Sequence, residues 1–380
     1  MEKDEKSLQD LKVANAQRNL INRRRFHSMA GGLVATSLGG FGRAWADDSG
    51  NSAKQSTSGT ITLGGWPDWM GKNNIASFRQ AYPDDDVKLV SIPGEEDRIA
   101  KLAIDPHAVD FILLVENDVQ RLVDLGVAAS VDLGAVPNYA NIDSNFKVGY
   151  ASPSNTRCVT TDYGKTGFGY RRDLVQEELK SWADLWKVAE KYSGKITFLN
   201  QPQFVIGTGL IVNGESISST DAGTVRQAAD KIIEIKPHLK RFVDTDISRG
   251  LVDGSVAIAM SWDYDIFLAQ QENENIVWVA PEDGMYGYLD VWVPVNTSER
   301  LPVVWKFFDF FFQPRQYADF VNTLGIASCM AANRSFIEPR LANSEILNPS
   351  QAVLERVQYP KSLGDGQRIW DREWLRIQAA

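Results

Sequence analysis

Residues 60–72 read TITLGGWPDWMGK, and they join a short apolar segment to a pair of tryptophans. Apolar and β-branched residues over four to eight positions, closed by glycines, predict a β-strand, here over 60–65. Trp66 and Trp69 follow this strand directly and enclose Asp68. Two indole rings at the end of a strand either pack into the core or line a ligand pocket.

The alternation of strand and helix continues along the chain. Apolar runs predict further strands at 86–92, 110–115, 195–199, 256–262 and 276–281. Helical patterns lie at 71–81, 95–104, 117–125, 181–191, 221–235, 301–312 and 314–323. Strands that alternate with helices of this length predict an α/β protein with mostly parallel sheets, two in number. In such sheets ligands bind beyond the carboxyl ends of the strands.

Aromatic and acidic residues recur together at three predicted strand ends. The first group is Trp66, Asp68 and Trp69, the second is Trp262 with Asp265, and the third is Tyr288 with Asp290. A cation over an indole face gains roughly 0.5–2 kcal/mol, and carboxylates add charge-assisted hydrogen bonds. None of the three groups carries the Arg or Lys that an anionic ligand needs. Each group alone is equally consistent with core packing, but their recurrence favours a site for a small cation.

Bulk composition favours a two-lobed protein that does not bind nucleic acid. The chain has 380 residues, of which 43% are hydrophobic and 23% charged, with a net charge of -9. That apolar content is enough for two cores. Phosphate binding needs clustered cations, so the acidic balance argues against nucleic acid as a partner.

The N-terminal segment has the layout of a twin-arginine export signal. NRRRF at 22–26 precedes a glycine-rich apolar stretch at 29–41, and Ala44-Trp45-Ala46 forms a small-x-small cleavage site. The apolar stretch is too short to cross about 30 Å of hydrocarbon. We expect residues 1–46 to direct export to the periplasm, and 47–58 to form a disordered polar lead-in.

Enzyme motifs are absent from the sequence. His107 and His238 stand in turn-like contexts, and no H-E-x-x-H, G-x-S-x-G or C-x-x-C occurs. Gly164-Lys165-Thr166 is similar to the end of a phosphate loop, but Val159 replaces its first glycine. We therefore expect a non-catalytic protein without cofactor or metal, with an exported enzyme as the alternative. Cys158 and Cys329 are compatible with one disulfide or with two buried thiols.

The order of segments from about residue 59 to 380 resembles the spermidine/putrescine-binding proteins that serve ATP-driven importers. The resembling pieces are GGWPDWM at 64–70, VDFILLVENDVQRLVDLGVAASVDLGAVPNYANID at 109–143, DYGKTGFGYRRDLV at 162–175, SWADLW at 181–186, ITFLNQPQFVIGTGL at 196–210, VAIAMSWDYD at 256–265 and GYLDVWVPVNTSE at 287–299. No single piece is diagnostic, but their order is fairly specific.

The resemblance implies a two-lobed, type II periplasmic binding fold. Lobe 1 would hold 59–163 and 289–333, and lobe 2 would hold 164–288 and 334–380. The ligand would bind in the cleft between them, the lobes would close, and the closed monomer would dock on the permease subunits of an ABC importer.

The resemblance also assigns site residues. Trp66 and Trp69 match the family's first aromatic pair, and Asp68 matches an amine-binding aspartate. Trp262, Asp265, Tyr288 and Asp290 match residues that pack the ligand's methylenes or bind its amines.

Four positions depart from the family pattern. Gln201 and Phe204 stand where it usually has acids, Glu116 partly replaces a Ser and Tyr set, and Ile326 replaces a cleft tyrosine. The expected ligand is a polyamine such as putrescine or spermidine. A shorter amine, an amino-acid-like compound and a quaternary ammonium compound are the alternatives.

Overall fold

The computed structural model describes residues 55–66, 68–92, 94–243 and 246–380. The predicted export signal at 1–46 and most of the polar lead-in lie outside these ranges. In the described residues, no helix combines the length and apolar character that crossing a membrane requires.

All described strands belong to one hydrogen-bonded sheet. Its main order is β2-β1-β3-β9-β4-β7-β5-β6, with β8 paired to β4 and β10 paired to β9. The strands are β1 (Gly59–Gly65), β2 (Asp85–Ser91), β3 (Phe111–Val115), β4 (Val159–Arg171), β5 (Ile196–Leu199), β6 (Leu239–Val243), β7 (Ile258–Trp262), β8 (Ile276–Val279), β9 (Met285–Pro294) and β10 (Val357–Gln358).

Helices fill the intervals between the strands. They are α1 (Asn74–Ala81), α2 (Glu95–Ile104), α3 (Val119–Asp124), α4 (Trp182–Val188), α5 (Pro202–Val212), α6 (Ala222–Ile235), α7 (Arg249–Asp253), α8 (Asp263–Glu272), α9 (Leu301–Phe311), α10 (Pro314–Leu324), α11 (Pro339–Ala342), α12 (Gln351–Leu354) and α13 (Gln367–Ala379). A short 3₁₀ helix, Glu116–Asp118, precedes α3.

The sheet is parallel towards both ends and antiparallel in the middle. β1 pairs in parallel with β2 and β3, and β5 pairs in parallel with β6 and β7. The long strands β4 and β9 run antiparallel to each other and join the two parallel parts. The predicted α/β alternation is therefore present, but the two expected sheets are continuous through β4 and β9.

Buried apolar residues form two large clusters, and β4 and β9 contribute to both. Val159 and Tyr163 of β4 pack in the first cluster, whereas Phe168 packs in the second. On β9, Tyr288 belongs to the second cluster and Leu289 to the first. This change of cluster lies next to the expected lobe boundaries, and the division into lobes remains a prediction.

The two cysteines are separate thiols. Cys158 and Cys329 are both free and buried, and burial raises the pKa of each thiol well above its usual value. Low solvent access and a raised pKa make both groups poor nucleophiles.

Candidate ligand-binding site

A row of aromatic rings runs from the end of β1 to the start of α5. The ring centroids of Trp66 and Trp69 are 5.5 Å apart, and Trp69 is 5.8 Å from Tyr264. Tyr264 stacks on Trp262 at 6.1 Å with an interplanar angle of 6°. These distances fall within the range of attractive edge-to-face and stacked pairs.

The row continues from Trp262 into the second core cluster. Trp262 lies 5.7 Å from Phe204, and Phe204 lies 6.1 Å from Tyr288. The aromatic row is hereafter Trp66, Trp69, Tyr264, Trp262, Phe204 and Tyr288. The structure thus brings together the five aromatic residues predicted for the site. Tyr264 is an additional link that sequence reasoning missed, although it lies between the predicted Trp262 and Asp265.

Local structure explains how these rings meet. Trp66 and Trp69 follow the carboxyl end of β1, and Trp262 is the last residue of β7. Phe204 lies in the first turn of α5, which follows β5. Three strand-to-helix connections therefore present aromatic side chains at the carboxyl ends of parallel strands, as open α/β sheets commonly do.

Asp290 lies beside this row and faces a second buried carboxyl group. Asp290 of β9 is directly opposite Asp162 of β4 in the ladder, and their side chains are only 4% and 1% exposed. Asp162 Oδ2 accepts hydrogen bonds from Trp69 Nε1 at 3.4 Å and Thr161 Oγ1 at 3.1 Å. The carboxyl pair is hereafter Asp162 and Asp290.

Burial sets the ionisation of the carboxyl pair. Desolvation raises the pKa of Asp162 to about 7, and the pKa of Asp290 is raised by burial and then by the negative charge of Asp162. Two carboxyl groups in contact share a proton readily because both cannot ionise cheaply. Sequence reasoning missed Asp162, since its stretch VTTDYG lacks the apolar pattern that marks a strand.

A buried cation also lies at the aromatic row. The Arg98 guanidinium carbon is 4.2 Å from the centroid of the Trp66 ring, and the side chain is 1% exposed. Arg98 donates through Nε to the Ile92 carbonyl at 2.7 Å and through Nη1 to the Leu113 carbonyl at 3.1 Å. The first aromatic group therefore has an Arg partner from α2 that its own sequence neighbourhood does not contain.

Acidic residues flank Arg98. Glu95 accepts a hydrogen bond from the Val115 backbone N–H at 2.7 Å. Burial, followed by the nearby charge of Asp118, raises the pKa of Glu95 to about 7. The environment of the row thus combines several carboxyl groups with one fixed guanidinium.

The remaining predicted residues occupy different surroundings. Glu116 is half-buried and accepts from the Tyr150 backbone N–H at 2.7 Å, and burial raises its pKa. Gln201 precedes α5 and accepts from Gln203 Nε2 at 3.3 Å. Asp68 is exposed, and Asp265 is half-buried in the first turn of α8.

The segment that resembles a phosphate loop has a structural role. Lys165 lies within β4, where its Nζ is 2.6 Å from Asp263 Oδ2 and 2.8 Å from the Ile346 carbonyl. Both charged side chains are almost fully buried. A lysine held in this way inside a strand is not positioned to bind a phosphate.

Trp66, Tyr264 and Trp262 of the aromatic row are partly exposed, whereas its other three residues are buried. Two surface concavities, with volumes of about 440 and 200 Å³, are each lined by residues outside the row and the carboxyl pair. Within the described ranges, no group of three or more His, Cys, Asp or Glu side chains is arranged to hold a metal ion. The row and the carboxyl pair offer packing for methylenes and acceptors for N–H donors.

Comparison with known proteins identifies a family that the chain matches. The family described as bacterial extracellular solute-binding protein matches residues 74–334. The spermidine/putrescine-binding periplasmic protein of Escherichia coli (strain K12) is 22% identical over 358 residues, which cover 93% of this chain and 98% of that protein. The putrescine/cadaverine-binding protein of Pseudomonas aeruginosa is 24% identical over 362 residues, which cover 91% of this chain and 98% of that protein.

A solved structure shares the fold. The spermidine/putrescine ABC transporter substrate-binding protein of Streptococcus pneumoniae superposes with a TM-score of 0.75 at 18% identity, over 85% of this chain and 99% of that one. The predicted periplasmic binding protein-like α/β fold is therefore confirmed.

Proposed function

The chain belongs to the family of bacterial extracellular solute-binding proteins, and we propose that its solute is a small cationic amine, with putrescine or spermidine as reference ligands. The role of the family is to bind a solute rather than to catalyse a reaction. Relatives along nearly the whole chain are named for putrescine, cadaverine or spermidine, which supports this class of ligand.

The observation that carries the proposal is the aromatic row beside the buried Asp290. Indole and phenol rings pack against methylene groups, each of which contributes about 0.8 kcal/mol when buried. A diamine with four methylenes therefore gains about 3 kcal/mol from packing alone. Asp290 supplies an acceptor for an ammonium group, and the hydrogen bond is strengthened because both partners are charged.

We propose that the protein works in the periplasm as a monomer and passes its ligand to the permease subunits of an ABC importer. Its relatives are named as periplasmic binding proteins and as an ABC transporter substrate-binding protein. Residues 1–46 would direct export by the twin-arginine route. Replacing Arg23, Arg24 and Arg25 with Lys should leave the uncleaved precursor in the cytoplasm. Normal periplasmic delivery of that variant would contradict the route.

Thermal unfolding with a panel of ligands tests the proposed ligand class. Putrescine, cadaverine, spermidine, lysine, choline, betaine and a set of anions would each be added to the purified mature protein. A ligand at 100 times its dissociation constant stabilises the folded state by about 2.7 kcal/mol. We expect the amines to raise the melting temperature. Stabilisation by an anion alone would overturn the cationic assignment.

A ligand with only one ammonium end is the second candidate, and Arg98 favours it. The guanidinium already occupies one face of Trp66, and Gln201 and Phe204 are neutral where the family usually has acids. A compound with an ammonium at one end and a carboxylate at the other would suit such a site. Comparing 1,4-diaminobutane with 4-aminobutanoate in calorimetry separates the two candidates, because the pair differs mainly at one end.

A further inference from the structure

We propose that Asp162 is a further ligand-binding residue, which with Asp290 and the Tyr288 hydroxyl receives one primary ammonium group in exchange for the proton that the carboxyl pair shares. This inference rests on the proposed function, because it specifies how an amine would be held. It holds equally for a diamine and for a compound with one ammonium end.

The strand register places the three acceptors on one face. Asp162 is opposite Asp290, and Gly164 is opposite Tyr288 in the antiparallel ladder of β4 and β9. Side chains two residues apart on a strand point to the same side, so Asp290 and Tyr288 share a face with Asp162. A Cβ added to Gly164 would overlap the hydroxyl end of Tyr288. The Tyr288 ring therefore lies across the missing side chain of Gly164, with its hydroxyl towards β4.

The face has more acceptors than donors. Asp162 Oδ2 takes the hydrogen bonds from Trp69 and Thr161, whereas the only side-chain partner of the Asp290 carboxyl group within the described ranges is Asp162. The Tyr288 hydroxyl makes no hydrogen bond to another described residue, although the side chain is only 7% exposed. The hydroxyl is not one of the fully buried side-chain atoms that lack a partner in the described residues, so it keeps some accessible surface and can accept an N–H from a ligand.

Charged neighbours are compatible with a bound cation. Two residues of α2 act on Asp290. The negative charge of Glu95 repels the Asp290 carboxylate, and the positive charge of Arg98 stabilises that carboxylate. Asp263 acts on Asp162 from α8, but Lys165 pairs with it directly. Cys329 and Tyr317 also interact electrostatically with Asp162. Both groups are neutral at physiological pH because burial raises the pKa of each well above its usual value. Among these neighbours, Arg98 is the cation that acts directly on Asp290.

A primary ammonium group matches this set of acceptors. It has three N–H donors, and the face offers two carboxyl groups and one hydroxyl. Its positive charge replaces the shared proton, so binding ionises the pair fully and releases a proton to solvent. A trimethylammonium group donates no hydrogen bond and is larger, so the face should discriminate against it.

Isothermal titration calorimetry on the mature protein tests this assignment. At pH 8 we expect Asp162→Asn to bind putrescine at least tenfold more weakly than the wild type. Asp371→Asn, which removes an exposed carboxylate of α13, should bind as the wild type does. Unchanged affinity in Asp162→Asn would overturn the assignment while leaving the proposed function intact.

Two further measurements do not depend on a variant that folds. The wild-type titration at pH 7 in buffers of different ionisation enthalpy should reveal release of a fraction of a proton per bound putrescine. A fully N-methylated putrescine should bind at least tenfold more weakly than putrescine itself. Absence of proton release, or equal binding of the methylated compound, would contradict the assignment. If the wild type bound no primary amine in the panel, the proposed function itself would fail.

Discussion

The Lys165 ammonium of β4 lies 2.6 Å from the Asp263 carboxylate at the start of α8, and both side chains are almost fully buried. Lys165 also donates to the Ile346 carbonyl at 2.8 Å. This pair fixes the start of α8 against β4. Tyr264, the next residue after Asp263, links Trp69 to Trp262 in the aromatic row, so the buried ion pair supports the geometry of the candidate site.

Removing Lys165 should destabilise the fold strongly. Lys165→Met leaves the Asp263 carboxylate buried without its counter-ion, a change that typically costs about 3–5 kcal/mol. Urea unfolding of the ligand-free protein measures the loss. As a control, Lys187→Met removes an exposed partner of Asp184, where about 0–1 kcal/mol is expected.

The double variant Lys165→Met/Asp263→Leu provides a second control. Replacing both buried charges with apolar groups removes the uncompensated charge, so part of the lost stability should return. Equal stability of Lys165→Met and wild type would show that the pair is not a structural tie.

Replacing Arg98 should change both stability and ligand preference. Arg98→Met removes the hydrogen bonds that Arg98 donates to the carbonyls of Ile92 and Leu113, and a buried group left unpaired costs about 1–3 kcal/mol. It also clears the Trp66 face of the guanidinium. We expect the affinity for 1,4-diaminobutane to rise relative to that for 4-aminobutanoate, measured by calorimetry on the folded fraction. A constant ratio of the two affinities would assign Arg98 to stability alone.

Apolar patterning predicted strands on both sides of the sheet but missed β4 at its centre and β6 at one edge. All six predicted strands are present, and α2 has the predicted bounds of 95–104. β4 escaped detection because Asp162 and Lys165 interrupt it, and those charges are satisfied by residues far away in sequence, such as Asp263. α5 was missed for the opposite reason: residues 204–211 are all buried, so no amphipathic period exists.

The candidate site shows the same division between local and distant information. Trp66, Trp69 and Trp262 could be predicted because each lies at a strand end, and the family resemblance added Phe204. Tyr288, predicted to follow the strand at 276–281, instead lies inside β9. Arg98 and Asp162 could not, since their placement depends on α2 packing beside β1 and β3 and on the register of β4 with β9. The role of Asp68 and Asp265 in ligand binding remains a prediction.

Stability of the ligand-free protein should fall as the pH rises from 5 to 8. Burial raises the pKa of Glu95 and of Asp162 to about 7, above their unfolded values. Between those values the folded state binds more protons than the unfolded state. The free energy of unfolding then decreases with pH, by up to about 1.4 kcal/mol per pH unit for each extra proton.

Urea unfolding at several pH values measures this trend. A carboxyl group with a lowered pKa does not oppose this trend between pH 5 and 8. Lys191 and Tyr192 lower the pKa of Glu177 to about 2, so the stability that Glu177 contributes is lost only in more acidic solution. Asp162→Asn should reduce the slope. A free energy of unfolding that rises from pH 5 to 8 would contradict the assignment of protonated carboxyl groups.

Adding one methyl group at Gly164 should disturb the site more than its size suggests. The new Cβ would overlap the Tyr288 hydroxyl and ring, and overpacking of this kind costs about 1–3 kcal/mol. The displaced Tyr288 would lose its place beside the carboxyl pair and its contact with Phe204. We therefore expect Gly164→Ala to lower both the free energy of unfolding and the affinity for putrescine. Gly223→Ala, at an exposed position in the first turn of α6, is the matched control and should retain both. A Gly164→Ala protein that bound putrescine as tightly as the wild type would show that Tyr288 does not contact the ligand. The added Cβ forces the Tyr288 ring to move, so any contact between that ring and the ligand would be disturbed.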